Sequence, residues 1–383
     1  MTQKSIIIFS EDFPPNYGGI AQWAAGIAKS LHRMSYSVQV LTRHISTDAE
    51  ISQSQESYPV IQVHGNRWRQ LRSYYALRAM KALYNREKAP DVVIATTWNI
   101  ARGITGILKK HGTKLIVVVH GLEVTRKMNW MKRVWLINTL KSAHQVIAVS
   151  NFTRDRVISQ HHIPQDKIIT LPNGVDPDRF HPLADVSILQ KRFSLVDKKI
   201  ILTLARLQER KGHDKVIEAL PMIIKEVPNA HYLISGVKKG TFYQKISQQV
   251  KNMGLESHVT FTGYVEPDEI NLFYNLCDVY IMPSRELKKN GDTEGFGITF
   301  LEANACEKPV IGGRSGGVVD AIENGITGYL VDPLDVEEIA NKLTLLLTND
   351  QHAHLLGQQG RQRILKNYTW DAVASRIADE ISF

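Results

Sequence analysis

Short runs rich in Ile and Val alternate with longer stretches of helical periodicity along almost the whole chain. Ile6–Phe9, Val38–Leu41, Val92–Ala95, Leu115–Val119, Val146–Val149 and Ile168–Leu171 predict buried strands of one domain. Ile200–Leu204, Tyr232–Ser235, Val259–Thr262, Val279–Met282 and Pro309–Gly312 predict strands of a second. Such continuous apolar strands with helices between them argue for an α/β fold built on parallel sheets. The join falls near Pro172-Asn173-Gly174-Val175-Asp176-Pro177, a cluster of breakers followed by a polar stretch. The pattern therefore predicts two doubly wound, Rossmann-like domains, residues 1–180 and 181–368, facing a cleft. Their ligands are expected at the carboxyl ends of the strands. There is no internal repeat and no low-complexity tract.

One segment carries the densest chemistry. Ile298, Leu301 and Ala305 recur at helical spacing, so Ile298–Ala305 predicts a helix, with Gly295 and Gly297 just before it. Glycines there let a ligand approach the backbone, and the first N–H groups of the helix suit a phosphate. Glu294 lies in the loop and Glu302 a turn inside the helix. A carboxylate repels phosphate, so the two glutamates suit the hydroxyls of the attached sugars. The plain alternative is a capped helix with two solvated glutamates.

Three other strand ends carry candidate ligand groups. After the first strand, Gly18-Gly19 precedes a helix and offers N–H groups to an anion, or forms an ordinary turn. After the strand Ile200–Leu204, Arg206 and Lys211 set a guanidinium fork and a point charge at one loop mouth, a pairing suited to a diphosphate. His120 follows Leu115–Val119 and is either a ligand group or a satisfied structural histidine.

Composition narrows the class. The 383 residues, 43% of them apolar, suffice for two cores. No apolar run approaches the about 18 residues of a membrane span, and Ile6–Phe9 is too short for a signal peptide. Cys277 and Cys306 lack CxxC spacing and are expected to be buried in a reducing cytoplasm. Charge is segregated: residues 1–180 hold 24 Lys+Arg against 12 Asp+Glu, whereas residues 181–383 hold 23 against 26. The first half therefore wants an anionic partner. No nucleic-acid recognition motif is present, and the basic residues cluster with aromatics instead. The segments Arg67–Arg78 and Arg126–Trp135 interleave cations with Trp68, Trp130 and Trp135. They suit an anionic membrane surface, or are amphipathic helices with their aromatics turned inward.

Taken together, Gly18-Gly19, His120, Pro172–Asp176, Arg206…Lys211 and Glu294…Glu302 resemble the retaining glycosyltransferases of family 4, with the GT-B fold. The resemblance spans essentially the whole chain. It is nearest to the GDP-mannose-dependent α-mannosyltransferases of the phosphatidylinositol mannoside type, through Asp12-Phe13-Pro14-Pro15…Gly18-Gly19-Ile20, Ser150–Arg156 and Gly291-Asp292-Thr293. It implies that Gly18, Gly19, Arg206 and Lys211 hold the donor diphosphate. Glu294, with Gly295, Phe296, Gly297 and Ile298, would hold the sugar and its phosphate. Glu302 would bind the ribose, Val265 the base through its backbone, and His120 a sugar hydroxyl. Acceptor contacts fall to Asp12, Asn16, Tyr17 and Arg154. The terminal helix, 369–383, would cross back to the first domain.

The resemblance also implies a metal-independent enzyme without a cofactor. The single Asp-x-Asp triplet, Asp176-Pro177-Asp178, lies in the interdomain turn and suits a turn cap. The donor is a nucleotide sugar. The acceptor is a lipid-linked or phosphorylated molecule, or a glycan, of the cell envelope. The expected place is cytoplasmic, peripheral at the inner face of the membrane. Alternatives are a UDP-sugar-dependent enzyme of lipopolysaccharide or exopolysaccharide assembly, or a nucleotide-sugar 2-epimerase of the same fold. Where the family usually carries glycine, this chain has Glu307. The sequence does not specify an oligomeric state.

Overall fold

The computed structural model describes residues 3–16, 18–43, 56–64, 68–86 and 88–382, side chains at 68–70 and 382 excepted. The chain divides into two units, residues 1–174 with 370–383, and residues 175–369.

The first unit is built on a parallel sheet of β1 (Ser5–Ser10), β2 (Ser37–Arg43), β3 (Val60–Val63), β4 (Val92–Ala95), β5 (Lys114–Val119), β6 (Gln145–Ala148) and β7 (Ile168–Thr170). Their order is β3-β2-β1-β4-β5-β6-β7. β1 sits at the reversal, pairing Ile6 with Val38 on one side and with Val92 on the other. Central strands such as Val92–Ala95 are buried at every residue, which is why they appear in the sequence as unbroken apolar runs. The helix Gly19–Arg33 covers the sheet with Ala21, Trp23, Ala24, Ile27, Ala28 and Leu31, a stripe at helical spacing. The terminal helix Trp370–Ser382 belongs to this unit. The Trp370 ring fills the space over Gly26 and Gly174, where an added Cβ would come within 2.3 and 2.7 Å of it. Two glycines thus seat the tryptophan.

The second unit carries β8 (Lys199–Leu204), β9 (Ala230–Ser235), β10 (Val259–Gly263), β11 (Val279–Met282), β12 (Val310–Gly313) and β13 (Gly328–Val331). The order is β10-β9-β8-β11-β12-β13, all parallel. The reversal lies between β8 and β11, where the connections leave toward opposite edges and open a crevice at the strands' carboxyl ends. Cys277 and Cys306 are buried free thiols in this unit.

Eleven predicted strands are present, shifted by a residue or two at their ends. Two observed strands were not predicted. β3 is a sheet-edge strand with a half-polar burial pattern, and β13 begins at a glycine packed against the Val310 carbonyl. Neither presents a long apolar run.

Candidate active site

The loops that leave β8 and β11 interlock at this reversal. After β8, a single 3₁₀ turn spans Glu209–Lys211 and closes on Gly212, whose φ is 79°. A side chain there would both strain the backbone and bring a Cβ within 2.2 Å of the Pro283 carbonyl. The turn leaves Glu209 exposed and buries Arg210 and Lys211. Arg285, just after β11, forms a bidentate pair with Asp214 at 2.9 and 2.7 Å, and its N–H donates to the Arg210 carbonyl at 2.8 Å. The two loops are therefore one rigid piece.

Glu294 is the centre of that piece. Its Oε2 accepts from Lys211 Nζ at 2.6 Å and from Arg210 Nη1 at 2.5 Å. Arg210 Nε lies 3.2 Å from Asp292 Oδ1. Burial on its own would raise the Glu294 carboxyl, but the charges and hydrogen bonds of Lys211 and Arg210 bring it down to about 2. Burial lowers the Lys211 ammonium, and Glu294 works against that fall. Arg206 is exposed at the end of β8, on the rim of the same loop.

The backbone beyond Glu294 is held by tight contacts. Gly316, at φ 60°, packs against the Glu294 carbonyl, which also accepts the Gly317 N–H at 2.8 Å. Gly295 and Phe296 are buried. Gly297, at φ 95°, starts the helix Ile298–Ala305, and a Cβ there would lie 2.7 Å from the Phe300 ring. Glu302, on the buried side of that helix and 3% exposed, accepts a 2.6 Å bond from the Tyr274 hydroxyl. Val265 is buried just past β10, following Gly263, whose carbonyl accepts the Gly236 N–H at 2.8 Å. The structure thus joins Lys211 directly to Glu294, sets the Arg206 charge close enough to act on Lys211, and holds Glu302 through Tyr274.

Arg210 was missing from the expected site. It belongs to the same Glu209-Arg210-Lys211 run, but spacing alone favoured Arg206 with Lys211. Only the 3₁₀ turn shows that Arg210 faces inward, and the signal in the sequence was its place between Glu209 and Lys211.

In the first unit, the candidates lie on the loops after β1, β5 and β6. Gly18 is extended, and its carbonyl accepts the Gln22 N–H at 3.0 Å, opening the helix Gly19–Arg33. A Cβ at Gly18 or Gly19 would meet nothing within 4 Å among the described residues, so their packing does not require either glycine. Asp12 is bound by Arg43 at 2.8 Å, and Glu11 by Arg72 at 2.8 Å. Asn16 N–H donates to the Phe13 carbonyl at 3.1 Å, and its buried amide nitrogen has no partner among the described residues. Tyr17 lies outside the described residues.

His120 directly follows β5, with its ring edge-on to Trp23 and the centroids 6.0 Å apart. Burial lowers its pKa to about 4, so the imidazole is neutral at ordinary pH. Its Nε2 is buried with no partner among the described residues. The Glu123 carboxylate accepts the His120 backbone N–H and fixes the turn. Arg154 is held within its own helix, by Asn151 at 2.9 Å and Asp155 at 2.8 Å. Asp176 accepts the Asp178 N–H at 3.0 Å, a turn contact.

One expectation needs correction. Trp130, 77% exposed, does lie in the open beside the exposed Lys132 and Arg133, but Trp135 does not. It packs against the first unit's core with the Arg102 guanidinium 3.6 Å over its ring, because it falls on the inward side of the helix Trp130–Ser142. Arg67 and the side chain of Trp68 lie outside the described residues.

Two doubly wound units, each with its candidate groups at the carboxyl ends of a reversing parallel sheet, are the architecture of the GT-B glycosyltransferases. The chain belongs to glycosyltransferase family 4. The family described as Glycosyltransferase Family 4 matches residues 17–179, and that described as Glycosyl transferases group 1 matches residues 187–363. A GDP-mannose-dependent alpha-(1-6)-phosphatidylinositol monomannoside mannosyltransferase of Mycolicibacterium smegmatis is 31% identical, over 98% of each chain. A related enzyme of Corynebacterium glutamicum, named for the monoacylated lipid, is 27% identical over 98% of this chain and 97% of that protein. Among solved structures, Anabaena HepE in complex with UDP and glucose matches with a TM-score of 0.82 at 19% identity, covering 99% of this chain and all of that one. The lipopolysaccharide glycosyltransferase WaaG matches with a TM-score of 0.70 at 16% identity, covering 98% and 99%. Both likenesses concern the fold.

Proposed function

We propose that this glycosyltransferase moves mannose from GDP-mannose, with retention of configuration, to a lipid-linked acceptor at an anionic membrane surface. The observation that carries the reading is the ionised Glu294 fixed beside Lys211, at the start of a glycine-opened helix, in a chain aligned end to end with mannosyltransferases. The second unit takes the donor and the first the acceptor.

Breaking the sugar–diphosphate bond loads negative charge on the leaving phosphate while the sugar becomes oxocarbenium-like. Lys211, Arg206 and the N–H groups from Gly297 onward stabilise the first, which is where preorganised charge contributes most. Glu294 accepts from hydroxyls of the transferred sugar, and Glu302 from the ribose. The backbone at Val265 meets the base. His120 offers a neutral imidazole to a sugar hydroxyl. The acceptor hydroxyl attacks from the face the phosphate leaves, and that phosphate takes up its proton. No metal is required in this scheme.

The lipid reading draws on the stretch 126–134, exposed apart from the half-buried Met128, where Trp130, Met131 and Val134 stand beside Arg126, Lys127, Lys132 and Arg133. Each basic residue near an anionic leaflet adds about 1 kcal/mol. Among the described residues no helix is long and apolar enough to cross a membrane. The test incubates the enzyme with GDP-[¹⁴C]mannose and bacterial phospholipid extract. Label in the organic phase, released by α-mannosidase, supports the proposal; label confined to water-soluble glycans overturns the lipid acceptor.

A further inference from the structure

Arg210 has no part in the scheme above, yet it is a buried cation bound directly to Glu294. We propose that Arg210 is a positioning residue: it keeps Glu294 fixed and ionised when Lys211 turns its ammonium to the donor diphosphate. The inference rests on the donor-site reading of the second unit.

Both cations meet the same oxygen, Glu294 Oε2, Arg210 Nη1 at 2.5 Å and Lys211 Nζ at 2.6 Å. They differ in how firmly each is held. Arg210 is 3% exposed, its Nε lies 3.2 Å from Asp292 Oδ1, and its carbonyl is fastened by the Arg285 N–H. Arg285 is in turn locked on Asp214 by two hydrogen bonds. The guanidinium is thus hydrogen-bonded to Glu294 through Nη1 and ion-paired with Asp292 at Nε, while its backbone is fastened by Arg285. Lys211 Nζ has only the thioether of Met282, at 3.4 Å, as a further hydrogen-bond partner among the described residues. A thioether is a weak acceptor, and an ammonium on four methylenes turns easily.

A diphosphate arriving at this loop competes with Glu294 for Lys211. Without Arg210, the departure of Lys211 would leave a buried carboxylate without a cation and facing phosphate charge. Glu294 would then take up a proton or swing away, and the sugar hydroxyls would lose their acceptor. With Arg210 in place, one cation is handed to the phosphate and the other stays. Asp292 keeps Arg210 from following Lys211 toward the phosphate.

The experiment compares wild type with Arg210→Gln, Arg210→Lys, Lys211→Ala and Asp292→Asn. Thermal melts confirm folding. GDP and UDP binding are titrated calorimetrically, and hydrolysis of GDP-mannose and UDP-glucose without acceptor gives kcat and KM. In Arg210→Gln, affinity for the nucleotide bound by wild type stays within about threefold, while kcat falls on the order of a hundredfold, the cost of a misplaced group. Arg210→Lys, which keeps a cation beside Glu294, recovers part of kcat. Should Arg210→Gln fail to fold, Asp292→Asn carries the same test, with intact nucleotide binding and a smaller loss of kcat. Nucleotide binding lost in parallel with Lys211→Ala would make Arg210 a phosphate ligand and overturn the inference, as would unchanged kcat in Arg210→Gln. Binding of neither nucleotide by wild type overturns the donor reading itself, and this inference with it.

Discussion

The Tyr274 hydroxyl donates a 2.6 Å hydrogen bond to the Glu302 carboxylate in the buried interior of the second unit. Burial and then the Glu302 charge push the phenol well above its ordinary range, so it remains the donor. One oxygen of Glu302 is thereby anchored by the phenol. Tyr274→Phe removes the anchor with little change in shape. Losing a hydrogen bond to a charged group costs about 1.5–3 kcal/mol. The expected outcome is a KM for the nucleotide sugar raised at least severalfold with kcat nearly unchanged, measured by donor hydrolysis. A fall in kcat at constant KM would place Glu302 at the reacting sugar instead.

Acid should destabilise the protein over a defined range. Burial holds His120 and His231 at about 4 and His213 at about 3, all below the ordinary 6.5. As pH falls below 6.5, the unfolded chain binds protons that these folded histidines refuse, so stability drops. Glu294 adds to this: burial opposes its ionisation, but Lys211 and Arg210 hold it at about 2 against an ordinary 4.5. Its contribution is complete above 4.5 and is lost as pH falls toward 2. The melting temperature should decline steadily from pH 6.5 downward; a stability maximum near pH 5 contradicts the assignment.

Glu307 sits in the left-handed region at φ 58°, just past the helix Ile298–Ala305. Among the described residues its carboxylate gains only a loose contact with Arg361, at 3.8 Å. Glycine is indifferent to that backbone conformation, whereas an L side chain pays about 1 kcal/mol. Glu307→Gly should therefore raise the melting temperature by about 1 °C, net of the extra freedom of the unfolded chain. Differential scanning calorimetry decides; a lower melting temperature would show that the Arg361 contact outweighs the strain.

Donor cleavage should proceed in excess EDTA at its ordinary rate. The charge on the leaving phosphate is met in the proposed scheme by Lys211, Arg206 and backbone N–H groups, which chelation does not touch. Loss of activity on chelation, restored by Mn²⁺ or Mg²⁺, would require a metal in the donor complex.

The sheets were legible because their strands are buried on both faces, so Val92–Ala95 or Val279–Met282 stand out as apolar blocks. β3 and β13 were missed because short strands with polar or glycine positions leave no such block. The helix Ile298–Ala305 was visible from spacing and from the glycines just before it; the positive φ at Gly297 was not. Arg210 and Tyr274 were not visible. Each acts through a partner distant in sequence, Glu294 and Glu302, and only folding brings these together. Trp135 was misjudged because composition tells which residues share a helix but not which side meets the core.

The loops after β8 and β11 are proposed to hold a nucleotide-sugar diphosphate, and donor cleavage by wild type and Lys211→Ala tests that placement. GDP-mannose, UDP-glucose, UDP-galactose and UDP-N-acetylglucosamine are each offered without acceptor, and release of nucleoside diphosphate is followed. Wild type should cleave GDP-mannose in preference to the UDP sugars. Lys211→Ala and, in parallel, Arg206→Ala should fold normally and lose about 2–4 kcal/mol of transition-state stabilisation, the cost of removing a preorganised donor. Near-normal cleavage in both variants would contradict the account.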